Sequence, residues 1–327
     1  MHDYRGMPPL TTLVSFVADH GRSQIATADL AGIHRARSTP RPRGALADRV
    51  LGAVDPAVGI TFGTAPARDE HEIPLRIYRP RALPDARDDV PVVMWFHGGG
   101  WVWGNVVDYD SLCTLIAGAV GAVVVSVDYR MAPEHRAPRA ALDCVDATTW
   151  VAANGDVLRA DTSRMAVAGD SAGGNLAAVV AQVLRDHGMT NLRHQALLYP
   201  ATDLTMASPS LVSNADAPVL DRAAVDAFRD HYLPPGADAR DPLVSPLWGD
   251  LAGLPPALVQ TADRDPIRDD GSRYATALEE AGVPVRLTNY LGVPHGFASF
   301  PGATRVGRMH RVELVTELSR ALARPIA

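Results

Sequence analysis

One serine of this sequence lies in a glycine-rich motif that suits a nucleophile. The motif, GDSAGG at residues 169–174, follows an apolar run of strand length and precedes an apolar run of helix length. In a G-x-S-x-G turn, the residues two before and two after the serine have no room for side chains, and Gly169 and Gly173 meet that requirement. The pattern predicts Ser171 as a nucleophile near the positive end of the following helix. A glycine-rich strand-to-helix turn without chemistry is the alternative that the motif alone leaves open.

A second glycine run, HGGGW at residues 97–101, follows another apolar run. Nucleophilic attack on an ester carbonyl puts negative charge on its oxygen, which backbone N–H groups already in place can stabilise. Glycine lets the backbone come that close because it has no Cβ. We therefore predict an oxyanion hole made by the N–H groups of Gly98, Gly99 and Ala172. His97 precedes this loop, so we expect it to hydrogen-bond the loop rather than act as the base.

A carboxylate and a histidine must complete such a site, and they follow the elbow serine in that order along the chain. His310 lies in a C-terminal helical pattern, where a solvated histidine is expected. His295 lies in a loop between Pro294 and Gly296, which suits a catalytic base. Position alone leaves four aspartates as candidates for the acid: Asp263, Asp265, Asp269 and Asp270. Asp265, in the loop before Pro266, is favoured among them.

The elements that would position these residues alternate between short apolar runs and longer helical patterns. This alternation is typical of an α/β fold, in which a mostly parallel sheet has helices on both faces. Eight strands are predicted, at residues 60–63, 72–78, 92–96, 122–127, 165–168, 195–199, 257–261 and 285–289. Helices are predicted at residues 110–120, 137–153 and 176–186. A C-terminal helix should pack on the sheet through Met309, Val312, Val315, Leu318 and Leu322.

Two segments do not fit this alternation. Residues 1–50 precede the sheet, and a connection at about residues 203–245 is much longer than an ordinary crossover. We expect both to form a helical cap over a catalytic domain at residues 51–327. An arginine- and proline-rich stretch at residues 35–44 is expected to be a solvated linker. Candidates to line a substrate pocket under the cap are Trp101, Trp103, Met206 and Phe228.

Composition excludes several other chemistries. The sequence contains 31 arginines and no lysine. Schiff-base catalysis and lysine-dependent phosphate loops are therefore excluded. The net charge of −6 offers no basic surface for nucleic acid. Neither a long apolar run nor a signal-peptide pattern occurs, so we expect no membrane span and a cytoplasmic location. Cys113 and Cys144 are expected to be buried thiols, and no metal or other cofactor is expected.

Taken as a set, these motifs resemble those of the hormone-sensitive-lipase-like esterases, the bacterial type IV carboxylesterases of the α/β-hydrolase fold. The resemblance covers residues 90–300 and includes, besides the two glycine motifs, YRMAPE at 129–134, YP at 199–200, SP at 245–246, DPIRD at 265–269 and HGF at 295–297. It implies that Asp265 is the acid, at the first position of the family's D-P-L-x-D. Ile267 and Met131 stand where leucine is usual, which leaves the chemistry unaffected.

The resemblance also implies structural roles for Tyr129, Arg130 and Glu134, which would brace the oxyanion loop from behind. It agrees with a helical cap formed by an N-terminal region and a long insertion. Homodimers are common in such families, so a homodimer is a candidate assembly.

The sequence therefore predicts a serine carboxylesterase that hydrolyses short-chain esters with Ser171, His295 and Asp265 through an acyl-enzyme. Its partners would be a small ester and water. The many aspartates of the insertion favour soluble esters over lipid surfaces. Amide or thioester hydrolysis would use the same machinery and stays open. The alternative from another class is a small-molecule receptor, but receptors of this family lack the catalytic histidine that is present here as His295.

Overall fold

The computed structural model describes residues 2–21, 25–39, 41–82 and 90–324. Eight strands occur in this part of the chain: β1 (Val58–Pro66), β2 (Glu72–Pro80), β3 (Pro91–Phe96), β4 (Val123–Val127), β5 (Asp161–Asp170), β6 (Leu192–Leu198), β7 (Ala257–Arg264) and β8 (Val285–Pro294). They form one sheet in the order β1-β2-β4-β3-β5-β6-β7-β8. The β1–β2 and β2–β4 pairs are antiparallel, and the other pairs are parallel.

Helices cover both faces of this sheet. They are α1 (Pro9–Gly21), α2 (Leu30–Ser38), α3 (Ala45–Leu51), α4 (Asp110–Val120), α5 (Arg139–Ala153), α6 (Gly155–Leu158), α7 (Ala172–Asp186), α8 (Ser210–Ser213), α9 (Arg222–Tyr232), α10 (Arg268–Glu280) and α11 (Arg305–Leu322). Successive side chains of a strand point to opposite faces. Met94 accordingly packs in the core cluster that contains α5, α7 and α10, and its neighbour Trp95 packs in the cluster that contains α4 and α11.

Strand register brings the sequence motifs together at one edge of the sheet. Phe96 at the end of β3 pairs with Gly169 near the end of β5, so the HGGGW and GDSAGG motifs start side by side. Arg264 at the end of β7 pairs with Pro294 at the end of β8. Asp265 directly follows β7 and His295 directly follows β8, so these two residues lie next to each other. Parallel strands thus deliver four distant segments to one place.

The fold class predicted from the sequence, with its mostly parallel eight-stranded sheet, is confirmed. The face predicted for α11 is wrong in part: Met309 and Val312 are 53% and 67% exposed, while Leu318 and Leu322 are buried as predicted. The solvated position predicted for His310 is also wrong, because this residue is fully buried. Periodicity identified the helix, but the five apolar positions that recur at helical spacing did not identify its inner face.

The predicted cap segments contain helices and touch one another. The Asp3 N–H donates to the Asp216 carbonyl at 2.9 Å, and the Val219 N–H donates to Asp19 Oδ1 at 2.8 Å. The linker predicted at residues 35–44 is wrong at its start, because residues 35–38 form the last turn of α2; Pro40 lies outside the described residues. The division into a cap and a catalytic domain stays a prediction. In the described ranges, no helix is both long and apolar enough to span a membrane.

Candidate active site

Ser171 occupies a sharp turn between β5 and α7. Its backbone has φ +55° and ψ −119°, a strained conformation for a residue with a side chain. The turn also excludes other side chains, as the motif predicted. A Cβ on Gly169 would lie 2.3 Å from the Gly173 carbonyl oxygen, and one on Gly173 would lie 2.0 Å from the Phe96 carbonyl oxygen. Both glycines are therefore required by the packing of the elbow against β3.

Three side chains form a continuous hydrogen-bonded chain. His295 Nε2 lies 2.8 Å from Ser171 Oγ, and His295 Nδ1 lies 2.7 Å from Asp265 Oδ2. Asp265 is fully buried and His295 is 7% exposed. The Ile267 N–H donates to the other carboxylate oxygen, Asp265 Oδ1, at 2.9 Å. Asn214, from the long connection at residues 203–245, donates to the Asp265 carbonyl oxygen at 2.9 Å, which anchors the backbone of the loop after β7.

The other aspartates considered from position alone have different partners. Asp263 accepts the Val293 N–H at 3.1 Å, and Asp269 accepts the Ser210 N–H at 2.9 Å. Asp270 is buried, and burial raises the pKa of its carboxyl to about 7, although the hydrogen bond from Ser208 opposes that rise. Of the four candidates, only Asp265 lies within hydrogen-bond distance of His295.

The loop of residues 97–104, called the glycine loop below, differs from the prediction at one donor. The Gly98 N–H already donates to Asp170 Oδ1 at 2.8 Å and to the Tyr109 hydroxyl at 3.0 Å. The Gly98 N–H is therefore occupied inside the protein, although the sequence analysis predicted it as a donor to the oxyanion hole. The N–H groups of Gly99 and Gly100 have no acceptor in the part of the chain described.

Both of these glycines have positive φ values, +121° for Gly99 and +61° for Gly100. A Cβ on Gly99 would lie 2.1 Å from the Trp103 carbonyl oxygen, and one on Gly100 would lie 2.3 Å from the Phe228 ring. Gly100, the third glycine of the same run, was not among the donors predicted from the sequence. Ala172, the third predicted donor, is the first residue of α7, where backbone N–H groups have no intrahelical acceptor.

Asp170 and Tyr109 support the glycine loop and were not recognised from the sequence. The Tyr109 hydroxyl donates to Asp170 Oδ2 at 3.0 Å, while Oδ1 holds the Gly98 N–H. Burial raises the pKa of the Asp170 carboxyl to about 6, and the hydrogen bonds from Tyr109 and Gly98 oppose that rise. Asp170 directly precedes Ser171, so one carboxylate links the serine turn to the loop beside it.

His97 lies behind the glycine loop and away from the Ser171–His295 pair. Its Nδ1–H donates to the Gly98 carbonyl at 2.8 Å, and its carbonyl accepts the Tyr129 hydroxyl at 2.7 Å. Its ring stacks on that of Tyr129 at 4.4 Å. Burial lowers the pKa of His97. Arg130, by contrast, pairs with Asp143 at 2.6 Å and does not contact the loop through its side chain.

The four predicted pocket residues differ in what they contact. Phe228 lies against Gly100, and its ring meets that of Trp103 edge-on at 5.2 Å. Trp101 is buried and stacks on Tyr232 at 4.2 Å, so its ring supports α9 rather than facing open space. Met206 is half-buried against the core, with a φ of +63°.

Among the described residues, no group of three His, Cys, Asp or Glu side chains could hold a metal ion.

Comparison with known proteins gives a consistent result. A family described as having the alpha/beta hydrolase fold matches residues 93–299. The carboxylesterase NlhH of Mycobacterium tuberculosis is 47% identical over 234 residues, which cover 70% of this chain and 72% of that protein. An ethyl acetate hydrolase of Pseudomonas putida is 36% identical over 254 residues, 76% of this chain and 78% of that protein. The structure of a hyperthermophilic esterase from Pyrobaculum calidifontis matches with a TM-score of 0.82 and 36% identity, covering 97% of this chain and 99% of that one.

Proposed function

Because this chain belongs to the hormone-sensitive-lipase-like family of α/β hydrolases, we propose that it is a serine carboxylesterase that hydrolyses short-chain esters through an acyl-enzyme. The observation that carries the proposal is the hydrogen-bonded chain from Ser171 through His295 to Asp265, with distances of 2.8 and 2.7 Å. The carboxylesterase and ethyl acetate hydrolase among its relatives support the same class of substrate.

In the first half of the reaction, His295 Nε2 takes the proton from Ser171 Oγ as that oxygen attacks the ester carbonyl. Asp265 accepts the Nδ1–H bond, which fixes the tautomer and stabilises the imidazolium. The tetrahedral intermediate collapses when the imidazolium gives its proton to the leaving alcohol, and the acyl group stays on Ser171. In the second half, water gives a proton to His295 as its oxygen attacks the acyl carbon. The imidazolium then returns a proton to Ser171 Oγ as the bond to the acyl group breaks and the acid leaves. No proton or electron is left over.

The developing negative charge on the carbonyl oxygen needs donors that are free in the resting protein. Gly99, Gly100 and Ala172 satisfy this condition, and Gly98 does not because its N–H is bonded to Asp170. We assign the oxyanion hole to the former three. Donors that are already oriented avoid a reorganisation cost when charge appears, which is why this contribution to catalysis is large.

A preference for short acyl chains is supported by the aromatic contacts beside the glycine loop. The Phe228 ring lies against Gly100 and meets Trp103 edge-on, so bulky side chains crowd the space beside a proposed oxyanion donor. A long acyl chain that passes this point would have to displace an aromatic ring. We expect a short acyl chain to bind without such rearrangement.

The test is the hydrolysis of p-nitrophenyl esters from acetate to decanoate by the wild type, by Ser171→Ala and by Ser213→Ala. Ser213 is exposed on α8 and is the matched control. We expect the wild type and the control to turn over acetate and butyrate fastest and Ser171→Ala to be inactive on every ester. Activity of Ser171→Ala equal to that of the wild type would disprove the proposed nucleophile. A folded wild type that is inert on the whole series would disprove the esterase proposal.

A further inference from the structure

We propose that Arg37, in the N-terminal segment, is a positioning residue that holds the glycine loop in the geometry needed for oxyanion binding. The inference rests on the proposed esterase function. Arg37 lies in the last turn of α2, 134 positions before the nucleophile in the sequence, and no motif points to it. Its guanidinium group contacts two separate loops at the edge of the active site.

The Arg37 guanidinium makes hydrogen bonds in three directions. Nε donates to the Val102 carbonyl of the glycine loop at 2.8 Å. Nη2 donates to the Ala132 carbonyl at 2.5 Å. The Glu134 carboxylate accepts from Nη1 at 2.8 Å and from Nη2 at 3.0 Å. A planar guanidinium suits this arrangement because its donors point in fixed, divergent directions.

These contacts reach the proposed oxyanion donors through the backbone. Val102 accepts from Arg37 through its carbonyl and donates through its N–H to the Gly99 carbonyl at 3.1 Å. The Ala132 N–H donates to the Trp101 carbonyl at 2.9 Å, so the second loop held by Arg37 also binds the glycine loop. Two short chains of hydrogen bonds therefore connect the guanidinium with the turn that carries Gly99 and Gly100.

Burial and charge fit a structural clamp. The Arg37 side chain is 19% exposed, and the carboxylate of Glu134 compensates its charge. Burial would raise the pKa of Glu134, but the hydrogen bonds from Arg37 and His34 hold it at about 2. The pair is therefore charged across the working pH range of an esterase. Asp170 and Tyr109 hold the same loop at Gly98, and Arg37 of the N-terminal segment holds it at Val102.

The clamp should affect catalysis more than substrate binding. An oxyanion donor must lie close to the position that the charged oxygen will occupy, and removing one donor outright costs about 10²- to 10³-fold in kcat. A loosened loop keeps its donors but misplaces them, so we expect loss of the Arg37 contacts to lower kcat by about 10- to 100-fold. Arg37 does not contact the Phe228–Trp103 pair proposed to limit acyl length, so KM for short esters should change little.

Three variants test this assignment. Arg37→Lys keeps the charge opposite Glu134, but a compact ammonium cannot reproduce the planar set of bonds to Val102 and Ala132. Arg37→Ala removes the clamp and leaves space for added guanidinium ion. Arg35→Gln is the matched control, because Arg35 lies on the same helix with 73% of its side chain exposed and only a 4.0 Å contact with Asp29.

For each variant we would measure kcat and KM on p-nitrophenyl acetate and the melting temperature. We would also measure inhibition by two ketones, a trifluoromethyl ketone that forms a serine adduct with an oxyanion and the matching methyl ketone that binds without one. Hydrogen exchange of the backbone amides at residues 97–104 reports on the loop without any need for turnover.

We expect Arg37→Lys and Arg37→Ala to lower kcat and to weaken inhibition by the trifluoromethyl ketone by similar factors. Binding of the methyl ketone should change less than threefold. Exchange in the glycine loop should become faster, and millimolar guanidinium, against an equal concentration of NaCl, should partly restore kcat of Arg37→Ala. Arg35→Gln should match the wild type throughout.

A lower melting temperature with unchanged kcat and unchanged trifluoromethyl ketone affinity would overturn the positioning role and leave a purely structural one. Unchanged loop exchange in both Arg37 variants would also overturn it. If the wild type is inert on esters, the proposed function fails instead, and the exchange experiment alone decides whether Arg37 holds the loop.

Discussion

Asp265→Asn should inactivate the protein by placing the wrong proton on His295. Asp265 Oδ1 accepts the Ile267 N–H at 2.9 Å, and Oδ2 faces His295 Nδ1 at 2.7 Å. An asparagine that keeps the bond from Ile267 turns its NH₂ group toward Nδ1. The imidazole must then carry its proton on Nε2, facing Ser171, and cannot take the serine proton. The backbone of the acid loop therefore selects the inactive arrangement.

The expected loss follows from the cost of escaping that arrangement. An amide flip restores the active tautomer but leaves the Ile267 N–H without an acceptor, which costs about 1–3 kcal/mol. Even then, a neutral amide stabilises the imidazolium less than a carboxylate does, by about 1.5–3 kcal/mol for a charged hydrogen bond. Together these terms give about 2.5–6 kcal/mol, or roughly 10²- to 10⁴-fold in kcat. The upper end equals the loss expected for a triad locked in the wrong tautomer.

The assay is the steady-state hydrolysis of p-nitrophenyl butyrate, with Asp263→Asn as the matched control. Asp263 lies two residues away and accepts the Val293 N–H, so its amide should lose less than tenfold in kcat. Circular dichroism and the melting temperature establish that both variants fold. A loss below tenfold in Asp265→Asn, or an equal loss in Asp263→Asn, would refute the reasoning and move the acid to another residue.

Other predictions concern packing, pH and substrate size. Gly173→Ala places a Cβ 2.0 Å from a backbone oxygen of β3, whereas a Cβ on Gly188 meets nothing within 4 Å; we expect loss of folded, active protein only for Gly173→Ala, with Gly188→Ala costing about 1 kcal/mol in chemical unfolding. Folding raises the pKa of Asp270 from 3.8 to about 7, so the free energy of unfolding of the wild type should fall as pH rises through that window. Between pH 5 and pH 8, the free energy of unfolding of Asp270→Asn, measured in urea, should fall by about 2 kcal/mol less than that of the wild type. Parallel pH curves for the two proteins would contradict this. Phe228→Ala should open the space beside Gly100 and raise the hexanoate-to-acetate ratio of kcat/KM by roughly tenfold; an unchanged ratio would place the acyl pocket elsewhere.

Local patterns were sufficient for the fold and for the order of the chemistry. Short apolar runs predicted the strands, most clearly β3 and β4, because strands buried on both faces need apolar residues at consecutive positions. Gly169 and Gly173 identified the elbow because no other residue fits so tight a turn. Chain order and the loop around His295 separated it from His310 as the base. Each of these inferences depends on physics that acts within a few residues of the chain.

The sequence did not determine which polar groups already had partners. Gly98 and Gly100 are equivalent in the motif, and only the position of Asp170 under the loop shows that the Gly98 N–H is occupied. Spacing likewise left four aspartates open. The register of β7 with β8 is what places Asp265, and not its neighbours, opposite His295. The resemblance to known esterases pointed to the same aspartate.

Tertiary structure also decided the roles of residues with no local signal. A helix repeats about every 3.6 residues, so its period can be read from the sequence, but its inner face depends on the surface that it meets. His310 is therefore buried on α11 while Met309 is exposed. The guanidinium of Arg37 reaches Val102, 65 positions along the chain, and no pattern encodes that contact. Sequence determined which residues could do the chemistry, and long-range packing alone decided which backbone donors remain free to do it.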